Sequence, residues 1–124
     1  LDQRVSLLLG LGVSGARLML DPGIGFGKTM AQNFQLLARQ ADLLRLGYPV
    51  LAGWSRKSAL GAALTQDGRV PEPAQRQVAS VAAALLAVER GASVVRVHDV
   101  QETVQALKVW SAMRQQDNEH DLSN

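Results

Sequence analysis

The sequence predicts an α/β domain in which parallel strands are each followed by a helix, and three observations carry that expectation. Short apolar runs recur at Arg17-Leu18-Met19-Leu20, at Val50-Leu51-Ala52-Gly53 and over residues 93–97. After each run the apolar residues fall at helical spacing, so the strands are joined by right-handed helical crossovers rather than hairpins. Directly beyond each run stands an unusual polar cluster: Asp21 with a glycine-rich loop, then Ser55-Arg56-Lys57-Ser58, then Arg96 with His98. Ligands of parallel α/β proteins collect beyond the carboxyl ends of the strands, which makes these clusters the candidate site.

The elements follow in order. Residues 1–11 are apolar enough for a buried helix that Gly12 ends in the left-handed conformation. The opening LDQRVSLLLGLG has no initiator Met and no basic-then-apolar signal arrangement, so it reads as a helix entered midway and suggests a fragment. The first strand, residues 17–20, is closed by Asp21-Pro22-Gly23, because proline has no ladder donor and restrains the residue before it. From Asn33, a candidate N-cap, Phe34, Leu37, Ala38, Ala41 and Leu44 mark a helix that Gly47 stops. Residues 50–53 are short and apolar enough to be buried on both faces of a parallel sheet. A short helix to Leu64 gives way to a loop over residues 65–73, where Asp67-Gly68 and two prolines supply turn chemistry. A longer helix spans residues 74–90 and ends at Gly91. Residues 93–97 form the third strand. Asp99, with Glu102 three positions on, matches a capping box for a last helix running to about Gln115. Residues 117–124 are polar without apolar periodicity and are expected to fray, leaving His120 solvated.

Composition sets bounds on function. The chain has 124 residues, 47% of them hydrophobic, which suits one small domain with a modest core. A net charge of +2 with alternating signs argues against a nucleic-acid partner, and no apolar run approaches the roughly 18 residues of a membrane span. With no cysteine there is neither a disulfide framework nor a thiolate metal site, which fits a reducing, cytoplasmic setting.

Asp21 is held at a strand end, where a carboxylate suits a bidentate contact with a guanidine-like heterocycle edge; an Asx turn before Pro-Gly explains it equally well. Gly23-Ile24-Gly25-Phe26-Gly27-Lys28-Thr29 invites a phosphate-loop reading. The spacing defeats it, since the first glycine of that motif would fall on Pro22 and the third glycine of a dinucleotide fingerprint on Lys28. Alternate glycines around Phe26 instead let the backbone fold over a flat ligand, with the ring as a wall. Ser55-Arg56-Lys57-Ser58 is either a capped helix start or, after Gly53 has removed a side chain, a pair of cations that bind an anion or a ring carbonyl. Arg96 and His98, two apart in a strand, share a face opposite Val95 and Val97. They form either a structural pair or a diphosphate site.

Together, Leu20-Asp21-Pro22-Gly23-Ile24-Gly25-Phe26-Gly27-Lys28-Thr29, Gly53-Trp54-Ser55-Arg56-Lys57-Ser58 and Arg96-Val97-His98-Asp99-Val100 resemble the dihydropteroate synthase family, in order and in spacing. The match covers residues 17–109, and it departs at Ala79-Ser80, where many relatives have Gly-Ser. The resemblance implies the last three strand-helix units of a (β/α)8 barrel, residues 1–116, in an enzyme that joins a dihydropterin methyl diphosphate to 4-aminobenzoate and releases diphosphate. It implies that Asp21 holds the pterin amino-pyrimidine edge, that Lys57 bonds the ring beside Gly53, and that Arg96 stacks on the ring and reaches the diphosphate with His98. Phe26, Ser55 and Lys57 would border the aminobenzoate, for which sulfonamides compete. Further implications are magnesium, held by the substrate diphosphate and by residues outside this chain, and a homodimer at full length. Such a barrel needs about 250 residues, so the chain alone is expected to be inactive. Two alternatives stand beside this reading: a pterin-dependent methyltransferase on a related barrel, and a non-catalytic binding or assembly module.

Overall fold

A computed structural model describes residues 1–123, with side chains as far as Asn118. The elements run α1 (Asp2–Gly10), α2 (Met30–Ala38), β1 (Leu51–Ala52), α3 (Ser58–Leu64), α4 (Gln77–Glu89), β2 (Val94–Val95) and α5 (Val100–Ser123), with 3-10 turns at Gly15–Arg17, Gln40–Leu46 and Pro73–Arg76. β1 and β2 pair in parallel, Leu51 opposite Val94 and Ala52 opposite Val95. The α/β class and the parallel pairing therefore follow the expectation.

The first expected strand survives only as a parallel bridge between Leu20 and Val50. The Leu20 N–H donates to the Pro49 carbonyl at 2.8 Å, and the Leu51 N–H donates back to Leu20 O at 2.8 Å. Arg17 instead closes a 3-10 turn capped by Ser14. A segment paired along one side only has half the ladder of a central strand, and it shrinks to the pairs flanking the most buried residue. Val50, fully buried, is that residue.

Burial also departs from expectation at the first helix. Only Val5 of α1 is buried, whereas Leu7, Leu8 and Leu9 are exposed, because no described element covers the rest of the helix. Its stop is as expected: Gly12 takes φ +90°, the Val13 N–H reaches Leu8 O and the Gly12 N–H reaches Leu9 O, the paired bonds of a Schellman cap. Gly91 ends α4 the same way, with Ala92 N–H to Ala87 O at 2.9 Å and Gly91 N–H to Val88 O at 2.9 Å. Helix α2 starts at Met30, earlier than expected. Thr29 is its N-cap, exchanging bonds with Gln32 in a capping box, which frees Asn33 for another task.

The main core lies between the strand pair and helices α2, α3 and α4. Ile24, Leu37, Trp54, Leu60 and Ala87 are buried there, and the Phe34 ring sits 5.0 Å from that of Trp54. A smaller cluster of Val5, Leu20 and Val50 sits under Tyr48. The last helix continues past Gln115 to Ser123 although the described residues beyond Trp110 are exposed. The helix thus outruns its expected end, because its last turns need no apolar stripe to remain helical. The side chain of His120 and the end of the expected tail lie outside the described residues.

Candidate active site

Asp21, the glycine loop, the 53–58 turn and the Arg96–His98 pair come from three neighbouring strand ends, and specific contacts bring them together. In the glycine loop Gly23, Gly25 and Gly27 all have positive φ, at 74°, 88° and 63°. This left-handed repetition, closed to other residues without strain, folds the loop back toward the sheet. Asn33 holds it there: its Oδ1 accepts from the Gly25 N–H at 2.8 Å while its Nδ2 donates to Thr29 O at 3.0 Å. The Lys28 ammonium donates to Gly23 O at 2.8 Å and Phe26 O at 3.1 Å, so this lysine closes the loop from within. The Asp21 carboxylate accepts the Gly23 N–H at 2.8 Å, the Asx bond that the Pro-Gly sequence allowed.

Lys57 crosses from the second strand end to the first. Its ammonium donates to Ile24 O and lies 5.2 Å from the centre of the Phe26 ring, while a Cβ on Gly25 would meet its Cδ at 3.1 Å. Burial lowers the Lys57 pKa below the ordinary lysine value, Arg96 adds to that effect, Asp21 opposes it and Lys28 lowers it further. The Phe26 ring is 69% exposed and takes no part in the core.

Gly53 is buried, and a Cβ there would stand 2.7 Å from Arg96 Nη2 and 3.1 Å from Arg96 Cζ. Glycine at this position is what lets the guanidinium lie across the end of β1. β2 ends at Val95, short of the expected 93–97, and beyond it Arg96 and His98 are exposed while Val95 and Val97 are half-buried, so the alternation of exposure outlasts the strand.

Ser55, read from the sequence as bordering the aminobenzoate, is only 9% exposed, and its Oγ is spent on the neighbouring strand end. It accepts the His98 backbone N–H at 3.1 Å and lies 2.8 Å from His98 Nδ1. Arg56 takes φ +57°, a left-handed value costly for an arginine. Three anchors hold it: its N–H on Ser80 Oγ at 2.8 Å, its carbonyl under Arg76 Nη1 at 2.9 Å, and its guanidinium on Asp99 Oδ1 at 2.8 Å. The Arg56 hydrogen bond holds the Asp99 carboxyl below the usual carboxylate range against the opposing effect of burial; Gln77 adds a second bond at 3.3 Å. Asp99 thus does not form the expected capping box with Glu102. Its carboxylate has been drawn onto Arg56, and Thr103 bonds the Asp99 carbonyl instead. Asn33, Ser80, Arg56 and Asp99 are the site's supports that the sequence did not reveal as such.

Among the described residues no three His, Asp or Glu side chains gather to hold a metal. The strand ends carry Lys57, Arg96 and Lys28 against Asp21 and its internal bond, a set that fits an anion rather than resident magnesium. A hollow of about 630 Å³ adjoins this face, on the outer side of the glycine loop between Phe26, Lys28 and Arg39.

Residues 1–98 match the family model described as pterin binding enzyme. The chain belongs to that family. It is 46% identical over 112 residues to the dihydropteroate synthase of Haemophilus influenzae, covering 90% of this chain and 39% of that protein. The structure of the Stenotrophomonas maltophilia dihydropteroate synthase with imidazole in its active site superposes with a TM-score of 0.85 at 50% identity, over 90% of this chain and 41% of that one. The Xanthomonas albilineans enzyme in complex with 7,8-dihydropteroate gives 0.84 at 50% identity, over 90% and 41%. The chain thus spans about two fifths of the length of these members of the pterin-binding family. No helix among the described residues is long and apolar enough to cross a membrane.

Proposed function

We propose that the chain forms the pterin- and diphosphate-binding side of a dihydropteroate synthase, as the last three strand-helix units of a (β/α)8 barrel contributed by residues 1–116. The observation that carries this reading is the proximity of Lys57 and Arg96, close enough for Arg96 to lower the lysine pKa, with His98 held by Ser55 at the neighbouring strand end. Gly53 and Gly25 are the positions where a side chain would push those cations away. The 7,8-dihydropteroate bound by the Xanthomonas albilineans relative supplies the chemical class of the ligand.

In this reading Asp21 faces the amino-pyrimidine edge, Lys57 donates to the ring, Gly53 leaves room for its flat surface, and Arg96 stacks on it. Phe26, Ser55 and Lys57 border the 4-aminobenzoate, the Ser55 hydroxyl being bonded to His98 as well. In the reaction the arylamine nitrogen forms a bond to the exocyclic methylene of the dihydropterin. The carbon–oxygen bond breaks, diphosphate leaves with the electron pair, and the amine proton passes to solvent. Arg96 and His98 stabilise the departing charge, each well-placed group worth about 3 kcal/mol. Any magnesium ion would be held by the substrate diphosphate and by residues outside this chain. Sulfonamides would compete where aminobenzoate binds, the setting would be cytoplasmic, and a homodimer would form at full length.

Titration of the chain with the dihydropterin methyl diphosphate and with the bare pterin tests the assignment. Binding of both, tighter for the ester and weakened by Lys57→Ala, is expected. Equal affinity for the two would favour a pterin-dependent methyltransferase, which has no diphosphate to hold. Diphosphate release by the chain alone, with both substrates present, would overturn its expected inactivity. The exposed Leu7, Leu11, Val78 and Val109 favour an additional assembly role, and sedimentation of a stable monomer would remove it.

A further inference from the structure

Two hydrogen bonds converge on the Ser55 hydroxyl, and together they specify where the proton of His98 resides. A hydroxyl has one proton and two lone pairs, and a backbone N–H can only donate. The His98 N–H, at 3.1 Å from Oγ, therefore occupies a lone pair. The second neighbour, His98 Nδ1 at 2.8 Å, is either the acceptor of the Ser55 proton or itself a donor to Oγ. In the second case the hydroxyl proton would need another acceptor, and among the described residues Ser55 Oγ has only His98 within hydrogen-bond distance. Ser55 is buried, so that proton would be stranded away from water, a larger loss than an ordinary hydrogen bond. The first case satisfies every group.

We propose that Ser55 is a positioning residue that fixes neutral His98 in the tautomer with the proton on Nε2. Nδ1 then faces inward as the acceptor of the Ser55 proton. The exposed edge of the ring then carries an N–H, so the face offers a diphosphate oxygen a donor that does not wait on protonation of the imidazole. This device rests on the reading of His98 as a diphosphate contact, but the tautomer itself is independent of any ligand. It also accounts for a buried serine between Trp54 and a cationic turn. A threonine would keep the hydroxyl, and an alanine would free the ring to choose either tautomer and to rotate.

Long-range proton–nitrogen correlation spectra of the imidazoles test this on the chain as it is. The variant His120→Gln leaves His98 as the only histidine and identifies its signals. The expected result, in mildly alkaline solution, is a pattern with the proton on Nε2; a dominant Nδ1–H pattern overturns the proposal without any further variant. Ser55→Ala should turn the pattern into an averaged mixture, and Ser55→Thr should restore it. An unchanged tautomer in a folded Ser55→Ala chain would also sink the idea, since a merely structural serine predicts that outcome. Inorganic diphosphate titrated into the same samples should bind about two- to tenfold more weakly to Ser55→Ala, and Ser55→Thr should recover the loss. If the tautomer responds as expected while diphosphate affinity does not, the positioning stands and the diphosphate assignment of His98 falls.

Discussion

Gly53→Ala separates the placement of a ligand group from the stability of the fold. The new Cβ would lie 2.7 Å from Arg96 Nη2, 3.1 Å from its Cζ and 3.3 Å from its Nε, and all three are atoms at the end of a flexible side chain. Gly53 is not among the positive-φ positions, so alanine fits the backbone, and among the described residues no ion pair anchors Arg96. The guanidinium therefore swings aside before the strand yields. The folding cost should stay at or below the bottom of the roughly 1–3 kcal/mol range of overpacked cores. The ligand cost is larger. A hydrogen bond to a charged group is worth about 1.5–3 kcal/mol, and each 1.4 kcal/mol is tenfold in affinity, so binding of the diphosphate ester should weaken by about 10- to 150-fold. Calorimetric titration with the ester and with bare pterin, beside thermal unfolding of both proteins, measures the two effects separately. A lowered Tm with undiminished preference for the ester would refute the reasoning, because it would mean that Gly53 serves packing and that Arg96 does not hold the diphosphate.

Gly61→Ala produces nearly the same distances, with Cβ 2.7 Å from Arg76 Cζ and Nε, but Arg76 is locked on Pro71 O and Arg56 O, so here a loss of about 1–3 kcal/mol in chemical denaturation is expected. If Lys57 holds the pterin as proposed, Lys57→Ala should abolish most pterin affinity, while losing its bond to Ile24 O should cost only about 0.5–1.5 kcal/mol of stability; unchanged affinity in the titration would remove its assigned role. Asp99 has its folded pKa depressed by Arg56, so its stabilisation is present above the ordinary carboxylate range and is lost as pH falls through the lowered value. Asp99→Asn should lower stability at neutral pH and flatten that acid limb when unfolding is followed against pH. Gly91→Ala puts a side chain at φ +95° with its Cβ 2.4 Å from Leu44 Cδ1, and should lower Tm more than Gly53→Ala does.

The alternation that puts Arg96 and His98 on one face, and the glycines that stop the helices, were legible in the sequence because each is a local rule with a fixed period or a fixed backbone conformation. The Thr29–Gln32 capping box came from the structure, because the apolar pattern drew the expected start of the helix to Asn33. What was hidden depends on pairs distant along the chain. Nothing around Arg56 signals a left-handed backbone, since its partners Arg76, Ser80 and Asp99 come from elsewhere. Asp99 stood in a sequence that fits a helix cap, and only a guanidinium arriving from another strand end diverts its carboxylate. The first strand was overread for a related reason: its apolar residues report burial, but ladder length is set by neighbours that the local sequence does not contain.

Arg56 explains how the separate strand ends act as one surface. A left-handed backbone costs a residue other than glycine about 1–3 kcal/mol, and it persists only where the surroundings overdetermine it. Here the surroundings are the 3-10 turn before α4, through Arg76, the first turn of α4, through Ser80, and the residue before α5, through Asp99. Arg56 Nε and Asp99 Oδ2, a buried donor and acceptor without partners among the described residues, are the complementary second arm of a bidentate fork, which a small rotation of either side chain would close. The strained residue is the immediate neighbour of Lys57. A glycine at position 56 would adopt the same φ without strain, but it would lose the tie to Asp99 and, with it, the link between the turn that aims Lys57 and the strand end that carries His98. Arginine is therefore better understood here as a tie between two ligand-bearing loops than as a third cation for the ligand. Its exposure of only 32% beside a carboxylate at 2.8 Å agrees, because a guanidinium already engaged with Asp99 has little to offer a diphosphate.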